Sequence, residues 1–347
     1  MIEIDGSQGE GGGQVLRTSV AMSALSGQTV HIKNIRAGRK EPGLRPQHLK
    51  AVEAISLLCD GEENGLRVGS TELTFRPCQI KARRLMLDVG TAGSATLVLQ
   101  ALLPVALSAP GEVTVEVSGG TDVRWAPTAD YFKHIFCMFL KRIGCSVEFD
   151  VLERGFYPEG GGRVRLSVLP WRHRRVIQVM DMGEMDSLGV FSVSSEQLRE
   201  RHVAERQVHG FLKKMAPHHL VESLSTIYLP SRSTGSSFLA YADYRNTRLG
   251  ACVIGDRGLR AEDVGLKAAE DLLSEMASKA PLDSHMADQI IPYLALAGGS
   301  VRASKISGHT RTNIDVVNSF GYGLKMAEDN TISSDGPGVA ANAQKGP

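Results

Sequence analysis

Short alternating runs of apolar residues trade places with longer runs of three- and four-residue spacing along the first half of this 347-residue chain. The pattern predicts a strand over 1–5, a glycine-rich turn, a helix near 14–26 and a second strand at QTVHIKNI (28–35). A helix near 46–59 carries Leu49, Val52, Ile55, Leu57 and Leu58, and two short strands end at Phe75. The order then recurs. A strand near 84–89 leads to a helix at 93–108, the strand GEVTVEVSGG, a helix at 127–143 and strands near 145–151 and 163–169. Phe132, Phe136, Phe139, Leu140 and Ile143 recur at helical spacing and mark a core face. Two copies of β-α-β-α-β-β predict an α/β (α+β) fold with mixed sheets.

Local echoes support a duplication. EGGGQV at 10–15 returns as EGGGRV at 159–164, and the Gln100…Pro104-Val-Ala-Leu helix is echoed by Gln289…Pro292-Tyr-Leu-Ala-Leu. Between about 182 and 276 the character changes. A polar stretch, DMGEMDSLG, precedes a strand, one long charged helix over 195–214, and strands near 222–229, 237–243 and 248–254. This predicts a small inserted α/β domain, with the helix that begins near Ala261 at the seam where the main fold resumes. Residues 329–347 are small and polar and read as a flexible tail.

Composition narrows the function classes. Apolar residues at 42% and charged residues at 22% exclude wholesale disorder. A net charge of +1 argues against coating nucleic acid by bulk charge and leaves a local basic site open. Cys59, Cys78, Cys137, Cys145 and Cys252 form no C-x-x-C pair, which fits reduced thiols inside a cell. MIEIDGSQGE lacks the layout of a signal peptide, and the longest apolar stretch, 94–109, is broken by Gln100 and Pro104. A cytoplasmic protein without a membrane span is expected.

Three segments carry candidate chemistry. GSQGEGGGQVLR (6–17) joins a strand to a helix, the setting in which backbone N–H groups bind anions. It is neither a Walker loop nor a dinucleotide fingerprint, since no G-K-[ST] follows and Gln14 stands at the third glycine position. A plain capped turn and a phosphate site both fit it; Glu10 and Arg17 beside the glycines suit the second. KNIRAGRKEPGLRPQHLK (33–50) staggers Lys33, Arg36, Arg39, Lys40, Arg45 and Lys50 against Glu41 alone, with His48 just inside the next helix. Arginine suits bidentate phosphate recognition, although a charge run is also how solvated surface reads. SGHTRTNIDVV (307–317) places His309 at a helix start, with Thr310, Thr312 and Asn313 as capping candidates. No H-E-x-x-H or His/Cys spacing suggests a structural zinc site. LDSHMADQ (282–289) reads as a capped helix start with an acidic first turn.

These segments together closely resemble the RNA 3′-terminal phosphate cyclases over nearly the full chain. The matches are DGSQGEGGGQVLR, IRAGRKEPGLRPQHL, GTAGSATLVLQ, SGGTD, RGFYPEGGGRV, HMADQ and GHTRTNIDVV. The resemblance implies three repeated β-α-β-α-β-β units in a large domain, two of them in 1–181 and the third in 277–328, around an insert at 182–276. It also implies ATP-dependent conversion of an RNA 3′-phosphate to a 2′,3′-cyclic phosphate, releasing AMP and pyrophosphate. His309 stands at the family's nucleophile position, implying a histidinyl-AMP intermediate. Neutral imidazole is a competent nucleophile near pH 7, and the last step, attack by the neighbouring 2′-hydroxyl, needs RNA.

By the same resemblance, Glu10, Arg17, Arg36, Arg39 and His48 match positions around the phosphates and the RNA end, and Glu10 would hold a metal or orient the 2′-hydroxyl. Gln100, Pro127, His285, Met286, Ala287, Asp288 and Gln289 match adenosine-binding positions. Some relatives carry Tyr where His285 stands, which puts the mode of adenine stacking in question. Mg²⁺ (or Mn²⁺) is implied for the pyrophosphate leaving group. Two other readings stay on the table: a non-catalytic ribosome-assembly relative, which lacks the nucleophilic histidine, and adenylylation of other ends such as a 5′-phosphate. The residues name no oligomeric partner.

Overall fold

The computed structural model describes residues 1–9 and 11–336. It is a mixed α/β molecule, and three of its four-stranded sheets share one plan. The first sheet runs Ile2–Asp5, Val30–Lys33, Leu73–Arg76, Glu62–Asn64 in spatial order, with the first pair parallel and the others antiparallel. The second runs Arg84–Asp88, Val113–Gly119, Gly162–Val168, Val147–Glu153 with the same polarity. The third runs Ile177–Val179, Gly299–Arg302, Thr331–Ser334, Leu324–Met326. A parallel pair needs a crossover, and a helix supplies it in each unit. Gly13–Ser26 and Ala95–Ala106 do so in the first two, and Ile291–Ala297 in the third.

Two expectations are corrected at the edges of the third unit. The third unit does not begin near 277, because its first strand is Ile177–Val179, ahead of the insert. Three residues are too few to show a pattern, and only pairing with Gly299–Arg302 assigns them. The tail reading also fails from 331 to 334, where TISS forms a strand whose Ile332 is buried and whose Ser334 pairs with Gly299. Its polar residues alternate with one apolar residue, so the signal is weak. The last part of that predicted tail, 337–347, lies outside the described residues.

The insert is a sheet of order Ser223–Leu229, Met185–Ser195, Ser236–Tyr244, Arg248–Ile254. Helices Val203–Met215 and Ala261–Ala277 cover one face with their own core, including Leu188, Phe211, Phe238 and Leu272. The helix at Ala261 therefore belongs to the insert rather than to the resumed main fold. These two helices approach closely through glycine: a Cβ on Gly265 would lie 1.8 Å from the Gln207 carbonyl oxygen. The expected single helix over 195–214 is also broken, since Glu196–Arg201 is a 3₁₀ turn and His202 adopts a left-handed conformation at φ +49. The opposite sheet face docks on the second unit, where Phe191 stacks on His134 with ring centroids 4.2 Å apart.

Candidate active site

The glycine loop is built by what it excludes. Gly9 and Gly11 hold φ +59 and +54, conformations that cost glycine little. A Cβ on Gly9 would fall 2.0 Å from Thr312 Oγ1, and one on Gly13 would fall 2.2 Å from His48 Nε2. The loop thus packs against the helix Gly308–Ser319 on one side and His48 on the other. Arg39 Nη2 would lie 3.2 Å from a Cβ on Gly12, the N-cap of helix Gly13–Ser26. Gly12 brings no side-chain acceptor to the first turn, so the N–H groups there face the loop without a capping oxygen from it.

The basic loop 34–45 folds on its own arginine. Arg36, at φ +56, donates through Nη1 to the carbonyls of Glu41 and Gly43, both at 2.8 Å. Burial, then the charges of Arg45 and Arg39, hold its pKa below the ordinary value. Three guanidinium groups therefore share this corner. Arg45 also pairs with Glu41, and its N–H donates to His48 Nδ1 at 3.1 Å. That bond assigns the His48 proton to Nε2, on the side facing Gly13. Burial, followed by Arg17, Arg36 and Arg45, pushes His48 down to about 3, so it is a neutral donor at pH 7.

His309 stands in the first turn of Gly308–Ser319. The cap of that helix is Ser307, whose Oγ accepts from the Thr310 N–H at 3.0 Å. The expected capping candidates do other work. Thr312 donates to the Gly308 carbonyl at 2.8 Å, and Asn313 is a buried bridge. Its Oδ1 accepts from Thr18 Oγ1 at 2.6 Å while its Nδ2 donates to the Asp288 carbonyl at 3.0 Å. Asn313 thereby fixes the His309 helix against the first unit and against the 286–289 turn.

A cleft opens where these helices converge. Arg17, Gln100, Asp288, Gln289 and Asn313 are among its lining residues. Gln100 is the one residue of helix Ala95–Ala106 that is not buried, so an otherwise apolar helix presents a single amide to the cleft. Asp288 accepts from Gln14 Nε2 at 3.2 Å. Burial raises its pKa to about 6, against the bond from Gln14 and the charges of His285, His309 and Arg17. Burial likewise lowers Arg17 to about 10 against the pull of Asp288. Gln289 is buried with its Oε1 lacking a hydrogen-bond partner, an acceptor that suits a ligand donor.

Other predicted residues stand elsewhere. Met286 and Ala287 point into the main core. Pro127 is on the loop before Thr128, its carbonyl accepting from Thr96 Oγ1 at 2.7 Å, and His285 is exposed with its ring edge-on to Tyr131. Glu10 lies outside the described residues. Among the described residues no group of three or more His, Cys, Asp or Glu could hold a metal. A Mg²⁺ ion that arrives bound to phosphates needs only one or two protein carboxylates.

Sequence reasoning missed Asp283. Its carboxylate accepts from Tyr131 OH at 2.6 Å, from the Gly250 N–H at 3.1 Å and from the Met286 N–H at 2.8 Å. It accepts the N–H groups of His285 and Met286 at the start of the 286–289 turn and ties together the second unit, the insert and the third unit. The only signal was an Asp three residues before a helix.

The family model described as RNA 3′-terminal phosphate cyclase matches residues 8–325. Relatives carrying that name include proteins of Archaeoglobus fulgidus and Staphylothermus marinus. The first is 43% identical, covering 96% of this chain and 99% of its own length; the second is 44% identical, covering 92% of each. A third, from Pyrococcus furiosus, is 42% identical over 92% of this chain and 93% of its own.

Proposed function

The chain belongs to the RNA 3′-terminal phosphate cyclase family, and from that premise we propose that it cyclises RNA 3′-phosphate ends through a histidinyl-AMP intermediate. The observation that supports this most is the junction of the glycine loop with the His309 helix. Gly9 packs on Thr312, and Thr18 bonds Asn313, which fastens the helix that carries His309 to the glycine loop and to the helix that carries Arg17.

ATP enters with its phosphates over the glycine loop and its adenosine toward Gln100, Asp288 and Gln289. A ring nitrogen of His309 attacks the α-phosphorus. The bond from that phosphorus to the bridging β-oxygen breaks, and pyrophosphate leaves. The N–H groups of the first turn of Gly13–Ser26, the His48 Nε2–H and the guanidinium groups of Arg17 and Arg39 hold the displaced charge. Arg36 acts one step back, by shaping the loop that presents Arg39. The RNA 3′-phosphate oxygen then takes the AMP from His309, breaking the P–N bond. Finally the 2′-hydroxyl attacks the activated phosphorus, loses its proton and expels AMP, a ring closure favoured by proximity. Bound Mg²⁺ or Mn²⁺ would neutralise charge on the pyrophosphate, with Glu10 as the candidate carboxylate.

Incubation with ATP labelled at the α-phosphate, without RNA, tests the reading. Label stable to base and labile to acid is expected on the wild type and absent from His309→Ala, and RNA with a 3′-phosphate should discharge it. A folded wild type that takes up no label with Mg²⁺ present contradicts the intermediate.

A further inference from the structure

Two large aromatic side chains of the second unit stand in water. Trp125 is 93% exposed and Tyr157 76%. Trp125 also holds φ +61, a left-handed conformation that bulky residues rarely adopt. Its backbone is fixed on both sides. Val123 is buried behind it, Arg124 pairs with Asp256 of the insert, and Thr128 caps the next helix by accepting from the Tyr131 N–H at 3.1 Å. The fold therefore holds a strained residue with its indole directed outward, and strain of that kind collects where a side chain has a task.

Tyr157 comes to the same rim. Asp122 and Phe156 are joined by a backbone bridge, so the loops that carry Trp125 and Tyr157 abut. Phe156 turns inward and is buried, leaving the tyrosine ring outside. Arg232 lies across Gly161 at this rim, and Glu159, Asp256 and Arg257 are exposed. The surroundings are thus polar and charged rather than an apolar patch of the kind that seats a protein partner. A train of hydrogen bonds leads from the rim to the basic loop. The Pro127 carbonyl accepts from Thr96, Thr96 bonds Ser94 Oγ at 2.8 Å, and the Ser94 N–H donates to Gln47 Oε1 at 3.1 Å, next to His48.

We propose that Trp125 and Tyr157 form a stacking platform for unpaired bases of the RNA strand that precedes the reacting 3′-phosphate. The proposal rests on the cyclase reading above. Ring faces accept any base, and stacking paired with a basic groove is how single strands are held without sequence preference. The 3′-phosphate would sit at the glycine loop and Arg39, and the strand would run past Gln47 to the two rings.

Fluorescence reports on the platform directly, because the other tryptophan, Trp171, is buried. An unstructured decanucleotide with a 3′-phosphate should quench the wild-type emission, and the quench should vanish in Trp125→Ala. In that variant KM for the decanucleotide should rise roughly tenfold. KM for a dinucleotide 3′-phosphate and self-labelling by ATP should not change, and Trp125→Phe should restore most of the decanucleotide KM. Equal quenching by ATP alone, or an unchanged KM at every length in an active Trp125→Ala enzyme, overturns the platform and leaves the cyclase reading standing. RNA quenching in a wild type that cannot use 3′-phosphate ends overturns the cyclase reading instead and keeps the platform.

Discussion

His48 and Asp288 titrate with opposite sign, and their residue-scale consequences separate in a pH experiment. His48 falls to about 3 in the folded chain from an ordinary value near ~6.5, so between those values the unfolded chain binds one more proton. Stability is therefore lost as pH falls through that window, by an amount on the order of a few kcal/mol for so buried a group. Asp288 rises to about 6, so its contribution is lost as pH rises from its ordinary value toward 6. Replacing His48 with Gln should flatten the acid side of the stability curve. Thermal midpoints of wild type and variant at pH 4.5 and 6.5 would show it, and an equally steep fall in His48→Gln would assign the acid limb to other groups. His48 was visible in the sequence as a neighbour of a basic loop, but its neutrality was not. That follows first from its burial in the folded chain and then from Arg17, Arg36 and Arg45 converging on it. The glycine loop and the basic loop were legible because each is contiguous; Asn313 and Asp283 were not, because their partners are 295 and 152 residues away.

At the scale of elements, helix starts were read well and helix interiors set the site. Gln14 and Arg17 leave the first helix one turn apart on its only unburied flank near the cleft, while Gln100 interrupts an apolar helix. The break at His202 escaped prediction because SSEQLRERHVAERQVHGFLKK keeps a helical distribution of charge through it. What seats the His309 helix is the Thr18–Asn313–Asp288 bridge rather than its own cap. Asn313→Ala should cost about 1–3 kcal/mol by orphaning a buried hydroxyl and a carbonyl. Removing Thr18 as well should add little, since both changes break one contact. A double-mutant cycle on denaturant midpoints checks the coupling, and self-adenylylation should fall in Asn313→Ala more than in Ser307→Ala. Additive effects of the Thr18 and Asn313 changes would show that the bridge is not the fastening.

On the scale of the whole molecule, the cleft lies where three repeats meet. Gln14 comes from the first unit, Gln100 and Pro104 from the second, Gln289 and Pro292 from the third, and all line one cavity. The Gln…Pro echo between the second and third units was legible in the sequence, yet nothing there said that the echoed residues face each other. The insert could be bounded by its change in character, but the strand Ile177–Val179 left on its far side could not. Asp283 makes the insert part of the site, since its carboxylate joins the insert's Gly250, the second unit's Tyr131 and the turn that carries Asp288 and Gln289. Burial pushes this carboxyl up, opposed by His285 and by the bonds from Tyr131 and Met286, so its partners are what keep it in place. Asp283→Asn would put an amide donor against one of the donors it now accepts from. The fold should lose about 1–3 kcal/mol, and KM for ATP should rise while turnover with saturating ATP is largely kept. Tyr131→Phe, which removes one of the donors, should move the same constants less. If KM for ATP stayed fixed while kcat fell in both variants, the insert would be acting on the chemical step rather than on the seat of the nucleotide.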